Sequence, residues 1–571
     1  MTNKQKAEEW LKSGLVPEEL KEDIKKATPE QIEDMFYREL EFGTGGMRGI
    51  LGPGSNRMNV LTIKKATLGF GLFLLKEFGQ KAKTMGVVIS HDNRINSRVF
   101  TLTASGVLND LGINTYIFDS LRPTPELSFT VRYTKACGGI MITASHNPKE
   151  YNGYKVYDET GCQLVPDKIQ PYLDIMADLG DELELSYKRA EVPGRQITLD
   201  SAIDDAFLAK VHSVAINKDD KHVIKIVFTP QHGTSSVLGR RLFKELGYVN
   251  DIDFFPVLDQ CTPDPYFSCT ESPNPEMKEA YIEALEIAKQ KDADLILTTD
   301  PDADRVGIGF KDSDGRYQLY NGNQTGALLI DYVLSNRERL GLLTDKSTVC
   351  DTIVTSTLGE KIARNYHCSV RSFLTGFKYI GEAINKAEKT GEFKFEFGYE
   401  ESYGYIVDTF CRDKDSLESL LMIAEMVNHY ALKGITLDQK LDELYKKYGY
   451  HITRLFNIYF PGEEGLHDMK KIMGEIRADP FKEIGGIRVV AFEDYLKQEK
   501  HADGKTFPLK GFPLSDVFRF FLEDGSWLAI RPSGTEPKCK FYYEAVDKEK
   551  DKAINKPDLF HKDILSKLNI K

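Results

Sequence analysis

The sequence predicts a multidomain α/β protein. β-rich runs, each followed by a polar turn and a helix-like segment, recur along the chain, and 571 residues are too many for a single hydrophobic core. Three runs carry the pattern: Gly86-Val87-Val88-Ile89-Ser90, Val223-Ile224-Lys225-Ile226-Val227-Phe228 and Thr348-Val349-Cys350-Asp351-Thr352-Ile353-Val354. Each is dense in β-branched residues, which suit a buried strand. They point to three related α/β domains with parallel or mixed sheets, among about three to five domains in all. No fixed-period repeat links them.

Before these blocks the first residues read as short helices. In Thr28-Pro29-Glu30-Gln31 a capping Thr precedes Pro at the first helical position and is followed three residues later by Gln. Pro193-Gly194 ends a charged stretch, Asn321-Gly322-Asn323 closes the second block, and a helical region ends at Gly449, beyond which the chain turns strand-rich. These breaks divide the chain into domains 1–200, 201–322, 323–448 and 449–571.

Composition removes several functional classes. A formal net charge of −12 disfavours a nucleic-acid partner, because phosphate backbones call for a basic face. It leaves room for a small anionic substrate, which asks only for a local cluster of Arg, Lys and backbone N–H groups. The apolar runs Leu72–Leu75 and Leu420–Met426 are too short for a membrane span, and the charged N-terminal segment lacks the apolar core of a signal peptide. Eight scattered cysteines without a C-x-x-C pair fit free thiols in a reducing compartment. A soluble cytoplasmic protein with no membrane partner is expected.

The sharpest chemical signal is Asp300-Pro301-Asp302-Ala303-Asp304-Arg305, between the strand-like Asp294–Thr299 and Val306–Phe310. Carboxylates at alternate positions of an extended loop face one side and repel unless a hard cation sits among them; a solvated acidic turn is the competing reading. An EF-hand is excluded, since its sixth and twelfth positions would be Arg305 and Lys311 rather than Gly and Glu. Thr143-Ala144-Ser145-His146-Asn147-Pro148 follows the apolar Gly139–Ile142. Ser beside His suggests a nucleophile or merely a hydrogen-bonded turn, and no G-x-S-x-G elbow surrounds it.

Two further segments are weaker alone. Arg531-Pro532-Ser533-Gly534-Thr535-Glu536-Pro537-Lys538 lies between strand-like Trp527–Ile530 and Cys539–Val546. An Arg fork, two hydroxyls and a Gly make either a phosphate cradle or a hairpin turn. Gly398-Tyr399-Glu400-Glu401-Ser402-Tyr403-Gly404 sets Glu and Ser two apart, able to meet vicinal hydroxyls or to stand in solvent. Gly504-Lys505-Thr506 lacks the first glycine of a P-loop, and Gly69-Phe70-Gly71 lacks the third glycine of a dinucleotide fingerprint.

In this order and at these separations, the four segments resemble the α-D-phosphohexomutase superfamily, from about Arg48 to Phe541. The chain length, Glu400-Glu401-Ser402-Tyr403-Gly404 and Thr229-Pro230-Gln231-His232-Gly233 resemble its longer phosphoglucomutase/phosphopentomutase branch. The resemblance implies four domains around a central cleft: three similar α/β domains with mixed sheets and a C-terminal α+β domain. It implies an intramolecular phosphotransferase, an isomerase of carbohydrate metabolism, that interconverts sugar 1- and 6-phosphates (or pentose 1- and 5-phosphates). Ser145 would carry the phosphoryl group, with a sugar bisphosphate as intermediate and activator. Asp300, Asp302 and Asp304 would bind Mg²⁺ with a phosphoserine oxygen at Ser145, and Arg305 would neutralise the phosphate.

By the same resemblance, Glu400 and Ser402 grip sugar hydroxyls, Thr375, Gly376 and Lys378 orient the sugar, and Arg531, Ser533, Gly534 and Thr535 hold the phosphate not being transferred. Arg48, His146, Lys155 and Lys414 occupy positions near the reacting groups, Lys414 being the preferred general base. Glucose phosphate leads as substrate; pentose or mannose phosphates and bisphosphate synthesis are the alternatives. A phosphatase would have no use for the Arg531 cradle. A non-catalytic sugar-phosphate-binding paralogue would have lost Ser145 or one of the three aspartates, and all are present.

Overall fold

Thr28 caps the helix Pro29–Phe36 through a reciprocal pair of bonds: its hydroxyl accepts from Gln31 N, while the Gln31 side chain accepts from Thr28 N. This helix and its neighbours Asn3–Lys12 and Glu18–Lys26 enclose a small core around Trp10, Ile24 and Phe36. The computed structural model describes all residues except 1, 44, 45, 461, 534–537 and 571. The chain divides into two compact units, one of residues 1–325 and 376–436, the other of 326–375 and 437–571.

The first unit holds two complete mixed sheets. One contains β1 (Phe42–Gly43), β2 (Gly46–Ile50), β3 (Val87–His91), β4 (Thr115–Phe118), β5 (Gly138–Ile142), β6 (Tyr151–Asp158) and β7 (Gln196–Leu199), in the order β1-β2-β6-β5-β3-β4-β7. Strands β5, β3, β4 and β7 run parallel; β6 and β2 add antiparallel. Every residue of β3 and β5 is buried, as central strands covered on both faces require.

The second sheet orders β8 (Ile226–Thr229), β9 (Phe254–Pro256), β10 (Leu295–Thr299), β11 (Val306–Lys311) and β12 (Tyr317–Tyr320) as β12-β11-β10-β8-β9. Here β8 begins three residues later than its β-branched run suggests. Val223 N donates to Asn428 Oδ1 and Lys225 N to Asp294 Oδ2, so side chains rather than a neighbouring strand satisfy these amides.

The third block is shared between the units. In the second unit β13 (Ser347–Thr352) pairs in parallel with β14 (Ser369–Phe373). In the first, β15 (Lys394–Glu400) and β16 (Gly404–Ile406) form a hairpin. The second unit also carries an antiparallel sheet of β17 (Tyr450–Tyr459), β19 (Ile487–Asp494), β20 (Glu499–Ala502), β21 (Lys505–Pro508), β22 (Phe518–Leu522), β23 (Trp527–Pro532) and β24 (Lys538–Asp547), with β18 (Glu483–Ile484) on β19. Helices Gly462–Ala478 and Lys550–Lys567 complete this α+β arrangement.

Glu544 anchors that unit internally. Its carboxylate is wholly buried and accepts from Trp527 Nε1 at 2.6 Å, Thr357 Oγ1 at 2.6 Å, Thr357 N at 3.1 Å and Ser356 Oγ, with His451 Nδ1 at 3.1 Å. The strand β24 is thereby tied to the start of the helix Thr357–Asn365. All eight cysteines are free, as their spacing suggests. Among the described residues no helix is long and apolar enough to cross a membrane.

Candidate active site

Ser145 lies in the loop between β5 and β6, with a left-handed φ of 52°. That conformation costs a non-glycine residue roughly 1–2 kcal/mol, so the surroundings must hold it. Its amide donates to Thr143 Oγ1 at 2.8 Å. Its hydroxyl donates to Asp300 Oδ2 at 2.7 Å and lies 3.1 Å from His146 Nδ1.

Asp300 belongs to the turn that joins β10 to β11 as an antiparallel hairpin, with Thr299 paired to Val306. The turn is fixed from within, because Asp300 Oδ1 accepts from the amides of Asp304 and Arg305 at 3.1 Å each. It is also fixed by Gly233, where a Cβ would stand 2.5 Å from the Pro301 backbone. The carboxylates of Asp300, Asp302 and Asp304 each offer an oxygen within 4.8 Å of the others, and all three residues are buried.

Burial first, and then repulsion from Asp302 and Asp304, pushes the Asp300 carboxyl well above the usual carboxylate range. Burial would raise Asp302 too, but the Lys155 ammonium pulls it below that range. Asp302 Oδ1 and Asp304 Oδ1 are buried without a hydrogen-bond partner, while their other oxygens face lysines. Orphaned carboxylate oxygens crowded in a dry site, all of them hard donors, fit a divalent cation.

Cations surround this cluster. Lys155, on β6, places Nζ 2.8 Å from Asp302 Oδ2 and 3.5 Å from Asp304 Oδ2. Arg48, on β2 beside β6, donates to Asn147 Oδ1 at 2.7 Å within the Ser145 loop. Gly153 permits this arrangement, since a Cβ there would meet Thr143 O at 2.5 Å and Met47 O at 2.8 Å. Arg305 stands about 4 Å from the Asp300 and Asp304 carboxylates and binds Glu276 at 2.6 Å.

Lys414, just before the helix Ser416–Leu432, is mostly shielded from solvent, with 12% of its side chain exposed. Its Nζ is 3.1 Å from Asp304 Oδ2 and 3.2 Å from Asp413 Oδ1. Burial opposes its charge, but Asp304, Asp413 and Glu400 together hold the ammonium above the ordinary lysine range. The lysine expected as general base thus lies beside the acidic turn.

The sugar-loop residues fall partly in the same unit. Glu400 ends β15, is buried, and accepts from Gly376 N at 2.9 Å. Lys378 opens the helix Lys378–Thr390. Ser402 lies in the β15–β16 turn, where Tyr403 O accepts from Val306 N at 2.9 Å, joining this turn to the residue after Arg305. Thr375 ends the second unit's segment immediately before Gly376. Arg531 and Ser533 sit at the β23–β24 hairpin of the second unit, where Ser533 N donates to Lys538 O at 2.8 Å. Gly534 and Thr535 lie outside the described residues.

The sequence reading missed Thr124, whose hydroxyl donates to Asp302 Oδ2 at 2.9 Å and whose amide donates to Asp302 O at 2.9 Å. In sequence it reads only as a helix start beside Pro123 and Pro125. It also missed Asp92 and Arg94, which lie behind the Ser145 loop.

Known proteins resemble the chain over most of its length. Residues 39–179, 205–315 and 321–448 match the alpha/beta/alpha domains I, II and III of phosphoglucomutase/phosphomannomutase, and 464–556 match its C-terminal domain. A phosphoglucomutase of Staphylococcus aureus (strain MSSA476) is 37% identical over 520 residues, covering 90% of this chain and 92% of its own. The structure of a putative phosphomannomutase from Thermus thermophilus superposes with a TM-score of 0.66 at 21% identity, over 92% of this chain and 99% of that one. The open form of parafusin, a Paramecium phosphoglucomutase, gives 0.64 at 18% identity, over 93% and 96%. The four domain matches in order, with a serine loop set against an acidic hairpin, place the chain in the phosphoglucomutase/phosphomannomutase family.

Proposed function

We propose that the chain interconverts glucose 1-phosphate and glucose 6-phosphate through a phosphoserine at Ser145 and a glucose bisphosphate intermediate. The observation that carries this reading is Ser145 Oγ hydrogen-bonded to Asp300 at the edge of a buried carboxylate triad. That relatives 37% identical to the chain bear the name phosphoglucomutase supports glucose as the sugar. Asp300, Asp302 and Asp304, with an oxygen of the phosphoserine, would hold Mg²⁺, which when bound withdraws charge from the phosphoryl group.

The chain's own residues supply the rest. Lys155 and Arg305 balance charge around the transferring group, and Arg48 braces the serine loop through Asn147. In the first half-reaction the Ser145 Oγ–P bond breaks as a P–O bond to the sugar forms; the sugar hydroxyl loses a proton and Ser145 gains one. His146 Nδ1, 3.1 Å from Ser145 Oγ, is suited to exchange the serine proton, with Lys414 as a second donor. The bisphosphate then turns, and the reverse transfer from its other phosphate restores the phosphoserine. Glu400, Ser402, Thr375, Gly376 and Lys378 would orient the sugar; Arg531, Ser533, Gly534 and Thr535 would grip the phosphate at rest. This reading assigns those tasks to cytoplasmic domains 1–200, 201–322, 323–448 and 449–571.

The test is a set of initial rates with the 1-phosphates of glucose, mannose, ribose and N-acetylglucosamine, with and without glucose 1,6-bisphosphate, alongside peptide mass spectrometry. Glucose 1-phosphate should be fastest, the bisphosphate should activate, and phosphate should be found on Ser145. Phosphate on another residue, or full activity in Ser145→Ala, would overturn the mechanism. A faster pentose or mannose phosphate would overturn only the sugar.

A further inference from the structure

Arg94 is a buried guanidinium with every N–H engaged. Its Nε donates to Asp92 Oδ2 at 3.0 Å. One terminal nitrogen donates to Pro148 O at 2.8 Å and Tyr151 O at 3.0 Å, the other to Ser145 O at 2.5 Å and Asn147 O at 2.6 Å. Four carbonyls between residues 145 and 151 thus converge on one side chain, itself with no solvent exposure. Phe267 lies over the guanidinium, 5.2 Å from Cζ to the ring centre.

Asp92 is the other half of the device. Its Oδ2 binds Arg94 and also accepts from Thr143 Oγ1 at 2.7 Å, while Oδ1 accepts from Arg94 N and Ser97 Oγ. Thr143 Oγ1 in turn accepts from Ser145 N. Ser145 is therefore held on both sides of its peptide unit, its N–H by way of Thr143 and Asp92 and its C=O directly by Arg94. A left-handed serine persists only where such contacts over-determine it.

We propose that Arg94 is the positioning residue that sets the Ser145 loop for phosphoryl transfer. It touches neither the hydroxyl nor the acidic triad in the bonds above; it acts through the backbone that aims Oγ at Asp300. The planar five-donor fork is what the task needs, since lysine keeps the charge but cannot span four carbonyls. In-line transfer is sensitive to displacements of about 1 Å, so releasing the loop lowers the rate of transfer before it alters sugar binding. The inference rests on Ser145 being the phosphoryl carrier.

The experiment uses the full chain with Mg²⁺ and glucose 1,6-bisphosphate, comparing wild type with Arg94→Lys and Thr143→Val. Rapid-quench mass spectrometry reads the rate at which Ser145 is loaded per folded molecule, with circular dichroism and thermal unfolding reporting the folded fraction. Arg94→Lys should load Ser145 about 30- to 100-fold more slowly and Thr143→Val about 10-fold more slowly. The KM for glucose 1-phosphate should stay within about threefold, and the ³¹P resonance of the phosphoserine should move. Wild-type loading rates per folded molecule in the folded variants would overturn the proposal, even if their melting temperatures fell. Should Arg94→Lys fail to fold, Asp92→Asn, which removes the charge that orients Arg94 Nε, decides by the same criterion. A wild type that never loads Ser145 overturns the functional reading itself, and the inference with it.

Discussion

Lys155 Nζ and Asp302 Oδ2 stand 2.8 Å apart, both side chains almost wholly removed from water. One comes from β6 and the other from the β10–β11 turn, so this ion pair joins the sheet beside the serine loop to the acidic hairpin. Removing one partner of a buried pair leaves an uncompensated charge, at a cost of about 3–5 kcal/mol.

Lys155→Met should therefore lower both stability and turnover. A fall in the urea midpoint together with at least a tenfold loss of kcat is expected. Wild-type values of both would show that the pair is incidental.

Metal removal should abolish transfer reversibly. After chelation and desalting, activity should fall to background and return on adding Mg²⁺. Asp302→Asn should lose activity by about 100-fold or more through the lost ligand charge, and should also lose stability, because Lys155 then keeps only Asp304, at 3.5 Å. Undiminished turnover after chelation would remove the metal from the reaction.

Glu400→Gln should weaken use of every sugar with adjacent hydroxyls while Ser145 still accepts phosphate. The amide oxygen can keep the bond from Gly376 N, so the loop stays in place and the lost carboxylate charge is what the kinetics report. KM for glucose 1-phosphate should rise about tenfold, with Ser145 still loaded at saturating glucose 1,6-bisphosphate. Unaltered constants across the sugar panel would show that this residue does not meet the sugar.

Arg531→Ala should lower kcat/KM by roughly 2–4 kcal/mol of transition-state stabilisation, with a relatively larger leak of phosphate to water. Normal kcat/KM would reduce the β23–β24 turn to a hairpin.

Acid should weaken the second unit through Glu544. Burial alone would raise this carboxyl, yet His451, Ser356 and Thr357 pull it down to about 2 from an ordinary value of 4.5. Because the folded value is depressed, the stabilisation is complete above the unfolded value and is lost as pH falls from about 4.5 towards 2, to a total of roughly 3 kcal/mol. The difference in unfolding free energy between wild type and Glu544→Gln should accordingly shrink between about pH 5 and pH 2. A pH-independent difference would place the contribution of Glu544 in packing.

Much of the site was legible because its chemistry is local. Asp300, Asp302 and Asp304 lie on alternate positions of one turn, and the flanking apolar runs became β10 and β11 as their pattern requires. The capped helix at Thr28 and the strands at Val87 and Gly138 follow from near-neighbour rules in the same way. The register of β8 did not follow, since Asn428 and Asp294, distant in sequence, took the amides of Val223 and Lys225.

By itself, then, the sequence determined the α/β character, the capped first helices and the position of the candidate serine and acidic loops, which depend on residue type and short-range spacing; the roles of those loops came from the family resemblance. Only the tertiary structure decided the charge states and the supports. Lys414 gains Asp304 and Asp413 as ion partners only in the fold, and with Glu400 they hold its ammonium above the ordinary lysine range although burial opposes the charge. Arg94 reads as one more arginine until four carbonyls from the serine loop meet its fork. Electrostatic energies and hydrogen-bond geometry depend on distances between residues remote in sequence, and those distances exist only once the chain has folded.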